Sequence, residues 1–417
     1  MAFASATLAT MLIATGTAVH RELSARNRAR VVRESVASGR FAEAQGELDR
    51  WLRERPGDPE ARFLQARIAL GRDRPAEADD ALREARTLGH PEAEVDRLRA
   101  LLLVRVGRLA EAEPALRRAW EAAKAPDPEV DRALARVFLE TYRLSAAAQA
   151  IGRWMRDAPD DPRPYLWRVE ISKRSGGEPG PLIRDFREAL KRDPDLEEAR
   201  LGLAEALLNE RDLAGAAEAF QAVLARRPDH VAAHIGLGRV ASGRGDGEEA
   251  IRHLDRALAL APGDVQGLAE RASVDLDRGD LASAMTRLDR AARLDPNDLT
   301  LRYRRSLVLT RLGRHDEARA EREAVMRLRE ADARLQEIRA DLIRSPQDVR
   351  LQGQAARWLI EQGHDEEGVR WAGQVLRHHP GDPDMSELMA NYHGRRGEAG
   401  LANFYRATAI SAPIPGP

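Results

Sequence analysis

Four histidines gather late in the chain, His364, His378, His379 and His393, and imidazole is a common ligand of zinc. A metal site built from them needs two or three ring nitrogens converging at about 2.0–2.1 Å from one ion. Their spacing spreads them over a turn, a helix end and the next helix, so polar helix-end roles are the better expectation and no metal is assigned. The densest basic cluster is Arg302, Arg304, Arg305, Arg311 and Arg314. It could meet an acidic peptide or a phosphate, or form a solvated helix face neutralised by Glu270 and Asp277. Trp358 and Trp371 lie close together and are expected to pack with each other in the core, the alternative being a ligand-facing aromatic. No glycine-rich phosphate loop, nucleophile elbow or HExxH pair occurs. Cysteine is absent, which excludes disulfides and thiolate metal sites. The expectation is therefore no catalytic residue, no metal, no cofactor and no enzyme activity.

The elements that must position these residues are set by a period. Pro194, Pro228, Pro262 and Pro296 stand 34 residues apart, and a fixed period of 20–50 residues marks a stacked-repeat architecture. With the proline at position 32 of each unit, small residues recur at positions 8 and 20 and often at 27. Gly238, Ala250 and Ala257 form one set; Ala272, Ala284 and Ala291 the next; Ala66, Ala78 and Ala85, then Ala100, Ala112 and Ala119, come earlier. Antiparallel helices approach closely only where facing side chains are small. Position 24 takes a large apolar residue, Leu48, Leu82, Leu116, Ile151, Phe186, Phe220, Leu254 or Leu288, which is expected to fill the seam towards the next unit. Position 15 is glycine in seven units, Gly39, Gly107, Gly245, Gly279, Gly313, Gly363 and Gly397, and is expected to end the first helix in the left-handed conformation. The chain is 32% charged and only 4% aromatic, a composition suited to a two-layer helical stack on Ala and Leu.

The pattern resembles the tetratricopeptide repeat family, whose small residues at 8 and 20, aromatic or aliphatic residue at 24 and proline at 32 are met, for example, by Ala204, Ala216, Phe220 and Pro228. The resemblance covers roughly residues 25 to 413, as about eleven units. The family's position-4 tryptophan is not met: Arg62, His234 and Leu268 stand there, and Trp167 falls only nearby. Position 24 becomes Arg322 and Arg406 near the end, so those units are expected to pack less well or to cap the stack. The resemblance implies an all-α fold, an α-solenoid of helix–turn–helix units in a right-handed superhelix, with first helices lining a concave groove. Some members grip a C-terminal carboxylate with Lys and Asn at positions 2, 5, 6 and 9. Here those positions read Glu198, Leu201, Gly202 and Glu205, then Ala232, Ile235, Gly236 and Arg239, so that clamp is not expected.

Two places break the period. Gly176, Gly177, Pro179, Gly180 and Pro181 predict a longer, flexible turn inside the unit that starts at Pro162. Further on, the proline due near residue 330 is Glu330 and the next is Pro346. Leu328, Ala331, Leu335, Ile338 and Leu342 alternate between them at three and four residues, which predicts one helix from about His315 to Ile343. Leu328, Leu335, Ile338 and Leu342 form a stripe that either pairs with a partner or a second copy, or packs on its own neighbours.

Met1 to Val19 carries no charge and would reach roughly 28 Å as a helix, close to a bilayer core. It is read as a single-pass anchor, with a cleaved signal segment, or a first solenoid helix or disordered tail, as alternatives. Arg21, Arg26, Arg28, Arg30 and Arg33 follow it and favour a cytoplasmic solenoid, the periplasmic side remaining open. The organisation expected is an anchor or signal segment at 1–20, N-terminal units at 21–161 and central units at 162–298. A unit with an extended second helix follows at 299–348, then C-terminal units at 349–413 and a tail at 414–417.

The functional expectation is a membrane-tethered scaffold that binds a protein or peptide partner along the groove, lined by Glu205, Arg239, Glu270, Asp277, Arg304 and Arg311. Self-association is a further possibility. The alternatives are an accessory subunit of an envelope assembly, secretion or maturation complex, and a nucleic-acid-binding solenoid. A net charge of −1, and the lack of basic residues repeating at one position of every unit, argue against nucleic acid.

Overall fold

The structure is a computed structural model that describes residues 27–176 and 179–410. Among the described residues the chain forms helices α1 to α22 and no strand. They are α1 (27–37), α2 (Phe41–Glu54), α3 (Pro59–Gly71), α4 (Pro75–Thr87), α5 (Glu92–Arg105), α6 (Leu109–Ala122), α7 (Pro128–Glu140) and α8 (Leu144–Asp157). There follow α9 (Arg163–Arg174), α10 (Pro179–Arg192), α11 (Glu197–Asn209), α12 (Leu213–Arg226), α13 (Val231–Arg244), α14 (Gly247–Leu260), α15 (Val265–Asp277) and α16 (Leu281–Leu294). The last are α17 (Leu299–Arg311), α18 (His315–Arg344), α19 (Val349–Glu361), α20 (Asp365–His378), α21 (Pro383–Arg395) and α22 (Ala399–Ile410). The chain divides into two compact units, one holding residues up to Glu140 with Gln149–Ala158, the other Thr141–Ala148 with everything from Pro159 on.

Many of the helix pairs share the same local chemistry. Asp58, Asp264, Asp298, Asp348 and Asp382 cap first helices by accepting a backbone N–H with the side chain, and Asp212, Asp246 and Asp280 cap second helices in the same way. Such a cap contributes about 1 kcal/mol. A proline stands two residues beyond the ends of α10, α12, α14 and α16, where it cannot continue the hydrogen-bond ladder. All seven position-15 glycines have positive φ, from 71° to 84°. The turn is present in the remaining units too: Gly176 takes it, and so do three residues that are not glycine, Asp73, Tyr142 and Arg211, at 60°, 56° and 63°. Of the glycine-and-proline run around Gly176, residues 177 and 178 lie outside the described residues. Helix α10 starts three residues after the left-handed residue where α14, α16 and α18 start two after theirs.

Packing follows the predicted positions. Ala66 and Ala78, Ala204 and Ala216, and Ala272 and Ala284 are all buried where paired helices cross, and so are the eight apolar residues at position 24. Arg322 and Arg406, which replace them, are exposed. The first unit holds its core around Leu48, Trp51, Leu64 and Ile68, and around Phe63, Leu82 and Leu98. The second runs from Phe220 and Val223 through Leu254 to Leu288 and Val308. Its last cluster joins Leu335, Ile338 and Leu342 of α18 to Leu359, Trp371, Val375 and Met389.

Helix α18 runs 30 residues, as its heptad stripe predicts. The left-handed turns on either side of it, Gly313 and Gly363, are 50 residues apart instead of 34. The stripe is used inside the chain: Leu335, Ile338 and Leu342 are buried against α19 and α20, while Leu328 is half-buried. One expectation is corrected. No helix among the described residues is long and apolar enough to cross a membrane. Helix α18 has the length, but charged residues run along all of it. Residues 1–19, where the anchor was expected, lie outside the described residues, so a membrane-tethered location has no structural support.

Candidate partner-binding face

The six residues expected to line a groove sit on first helices α11, α13, α15 and α17, and most of them bind one another. Arg239 Nη1 donates to Glu205 Oε2 at 2.6 Å, from one first helix to the next, 34 residues apart. Arg304 Nη2 repeats this with Glu270 Oε1 at 3.0 Å, again at 34 residues. Arg311 Nη1 donates to the carbonyl of Leu276 at 2.9 Å, and Asp277 is exposed. The repeat period turns single charges into a ladder between neighbouring helices, each rung worth about 0.2–1 kcal/mol at such part-exposed sites. Of the basic cluster, Arg304 is neutralised by Glu270 as expected, and the other arginines take other partners. Arg302 and Arg305 both reach Glu321, Arg305 also reaches Asp289, and Arg314 chelates Glu317. This stretch also leaves two apolar side chains open to solvent: Tyr303 and Leu307, one turn apart on α17, are both exposed.

The face changes character at α19. Positions 2, 5, 6, 9 and 13 of that first helix are Arg350, Gly353, Gln354, Arg357 and Glu361, and they line a cleft of about 760 Å³. Its apolar lining includes Ile338, Val349, Leu351, Trp358 and Met385, from α18, α19 and α21. Gly353 makes the cleft possible. A Cβ there would lie 3.7 Å from Met385 Cε, an ordinary contact, so the glycine leaves space without being forced by a close approach. Gly202, Gly236 and Gly238 differ: a Cβ at those sites would stand 2.3–2.6 Å from Phe186, Phe220 or Leu254. Arg357 faces Asp384 at 3.5 Å and Arg334 pairs with Glu337. Arg350 and Glu361, at the two ends of α19, are exposed and have no ion-pair partner among the described residues.

The aromatic and histidine expectations resolve individually. Trp371 is buried with its ring 5.6 Å from that of Tyr142, whereas Trp358 stacks on His364. His364 lies at the start of α20 and His378 and His379 at its end. His393 bonds Glu398 at 2.5 Å. Among the described residues no group of three or more His, Asp or Glu side chains is placed to hold a metal ion.

Sequence reasoning missed the work done at position 4. There Arg200, His234, Arg302 and Gln352 each bond the carbonyl oxygen of the position-32 proline that precedes it, Pro194, Pro228, Pro296 and Pro346. Their common trait is a side-chain N–H long enough to reach that oxygen, a signal legible only once the period is aligned. Two buried titratable clusters were missed as well. In the first unit Trp120 Nε1 donates to Asp131 Oδ1 at 2.8 Å, and the carboxylate's other oxygen has no hydrogen-bond partner among the described residues. Burial, reinforced by nearby Asp157, pushes Asp131 up to about 7, with the Trp120 N–H and Arg153 pulling the other way. In the second unit His234 and His253 share an Nδ1–Nδ1 hydrogen bond of 3.1 Å, and burial together with His234 holds His253 below the usual histidine range.

Comparison with known proteins agrees with this architecture. The tetratricopeptide repeat family matches residues 32–92, 97–162, 183–223 and 270–337, and a second tetratricopeptide repeat pattern matches 207–272, so more than half of the chain is covered. A tetratricopeptide repeat protein from Parabacteroides merdae superposes with a TM-score of 0.50 at 17% identity, over 61% of this chain and 99% of that one. Human IFIT1, solved as a dimer with PPP-AAAA, gives 0.39 at 17% identity over 85% and 90% of the two chains. MamA from Desulfovibrio magneticus RS-1 gives 0.34 at 22% identity over 41% and 96%. No curated protein matches the chain in sequence.

Proposed function

The chain belongs to the tetratricopeptide repeat family, and from that premise we propose that it is a non-enzymatic scaffold that holds an extended segment of a partner protein on its first-helix face. The observation that carries this reading is the cleft over α19. It offers an apolar floor and unspent opposite charges at its two ends, Arg350 and Glu361. An apolar anchor in such a site supplies affinity, and flanking charges set register. Eleven helical steps separate the charges, about 16 Å at the α-helical rise. Extended chain covers that distance in roughly five residues. The partner segment is therefore an apolar residue flanked by an acidic and a basic residue about five positions apart. Nucleic acid fits less well, because Arg239, Arg302, Arg304, Arg305 and Arg314 are already engaged with carboxylates.

The test uses the full chain against an array of synthetic peptides carrying Glu and Arg around a central Leu, Phe or Trp at graded separations. Binding should peak near a separation of five and should fall at least tenfold in Gly353→Leu, which fills the cleft. Arg350→Glu should shift preference towards peptides of reversed polarity. Equal binding by the parent chain and Gly353→Leu would remove the cleft from the account.

A further inference from the structure

Two departures from the repeat meet at one place outside the cleft: a tyrosine in a left-handed turn, and the added length of a second helix sixteen residues too long. Tyr142 holds φ at 56° at the position where the other units carry mostly glycine. That conformation costs a bulky residue stability that glycine would keep, so the side chain has to contribute something in return. It reaches α20, 225 residues further on, where its hydroxyl donates to Glu367 Oε1. Arg339, in the added length of α18, donates to the other oxygen of Glu367 at 2.7 Å. The tyrosine ring packs 5.6 Å from Trp371, and the Arg174 guanidinium lies 5.5 Å from its centre. Tyr142 and Trp371 are both buried. Burial and the Glu367 carboxylate push the Tyr142 phenol upward, so it stays a donor. Burial opposes the charge on Glu367, but the Arg339 and Tyr142 hydrogen bonds outweigh it and hold the group below the usual carboxylate range, so it stays an acceptor.

We propose that Tyr142 is the pin of an intramolecular clasp, fastening the block formed by the end of α18, α19 and α20 to the turn before α8, and that this block moves as a body when the pin is withdrawn. The two departures are the two halves of one device. The longer α18 delivers Arg339, Glu367 and Trp371 to the place that a strained tyrosine reaches. The helices that bear the clasp also line the cleft, through Ile338 of α18 and Val375 of α20. Releasing the clasp therefore changes the cleft's width; this last step rests on the partner-binding reading above, the clasp itself does not.

The chain has no cysteine, so paired labels are simple to place. Ser145→Cys and Glu366→Cys are exposed positions on the two sides of the clasp. Spin labels there should report one narrow distance in the otherwise unaltered full-length protein. Tyr142→Gly relieves the backbone and removes the pin. It should raise a longer distance from under about a tenth of the population to the majority, and Tyr142→Phe and Glu367→Gln should give smaller shifts in the same direction. Arg211→Gly makes the same backbone change at the equivalent turn without touching the clasp, and should leave the distance unchanged. A Tyr142→Gly protein that keeps the narrow distance, as Arg211→Gly does, would overturn the proposal. If Tyr142→Gly folds poorly, the two milder variants decide, and unchanged distances in both would overturn it equally. Gly353→Leu should not move the labels, so a failed cleft and a failed clasp give different results.

Discussion

The run from α11 to α17 and the block from α18 to α22 use the same repeat positions to different ends. In the run, position 9 carries Glu205 and Arg239, which bind each other, and position 6 carries Glu270 and Arg304, which do the same. In the block, position 9 is Arg357, position 6 is Gln354, and the helix ends with Arg350 and Glu361 unpaired over a cleft. A strict 34-residue period brings like positions of adjacent first helices together, so complementary charges at those positions close on each other. Stretching one helix to 30 residues removes the neighbour at that spacing, so position 9 of α19 turns to Asp384 instead and the charges at positions 2 and 13 are left open. Regularity consumes a surface; a break in it frees one.

The largest test of this contrast concerns the stripe on α18. Leu342 is fully buried in the cluster with Leu359 and Trp371, so Leu342→Ala should cost about 2–5 kcal/mol, measured by urea unfolding. Leu328, half-buried in the middle of the helix, should cost less than about 1 kcal/mol when truncated in the same way. Equal and small losses would mean that the stripe serves an outside helix instead of the chain's own core.

Next in size are the glycines. A Cβ at Gly236 would stand 2.3 Å from Phe220, whereas one at Gly353 meets only Met385 at 3.7 Å. Gly236→Leu should destabilise by about 1–3 kcal/mol. Gly353→Leu should be neutral or stabilising by up to about 1 kcal/mol, since glycine is a poor helix former. The two substitutions are the same on paper and opposite in sign in the protein. A destabilised Gly353→Leu would show that the cleft is closed in solution.

Much of this was legible in the sequence, and the limits are physical. Position 24 and the small residues at 8 and 20 could be read because burial there recurs in most units. The αL turn could be read where glycine marks it, but Asp73, Tyr142 and Arg211 carry the same conformation without the glycine signal. The six groove candidates lie on first helices, and their pairing was missed because an ion pair between units joins residues 34 apart that look unrelated until the period is aligned. The cleft was not legible at all. It depends on where α18 delivers α19 and α21, and helix length alone does not state that.

The two buried titratable clusters sharpen the difference between the units, with opposite signs. Asp131 titrates near 4 when unfolded and at about 7 when folded. Its folded form keeps the proton longer, so stability falls as pH rises from about 4 through 7. His253 is depressed in the fold; its unfolded form gains a proton near 6.5, so stability falls as pH drops below that value. The charged groups bearing on His253 are Glu249, Arg252 and His234. Asp131→Asn should raise the melting temperature at pH 8 and change little at pH 4, while His253→Gln should raise it at pH 5 and change little at pH 8. A uniform shift at all pH values would mean that the side chains act through packing and not through charge.

The smallest effect bears on the ladder itself. Arg239→Ala and Glu205→Ala should each cost no more than about 1 kcal/mol, with a coupling of about 0.2–1 kcal/mol in the double-mutant cycle that shrinks in high salt. Arg350→Ala and Glu361→Ala should show no coupling and no loss of stability, because no described residue pairs with either. Their cost should appear only as lost peptide binding. A residue that stabilises its own fold has spent its charge, and a partner must displace that neighbour before using it. An unpaired charge on another first helix is free for recognition. A ladder with no coupling would place its arginines among the available groups and move the binding face back towards α11–α17. A strong coupling would confine it to α19.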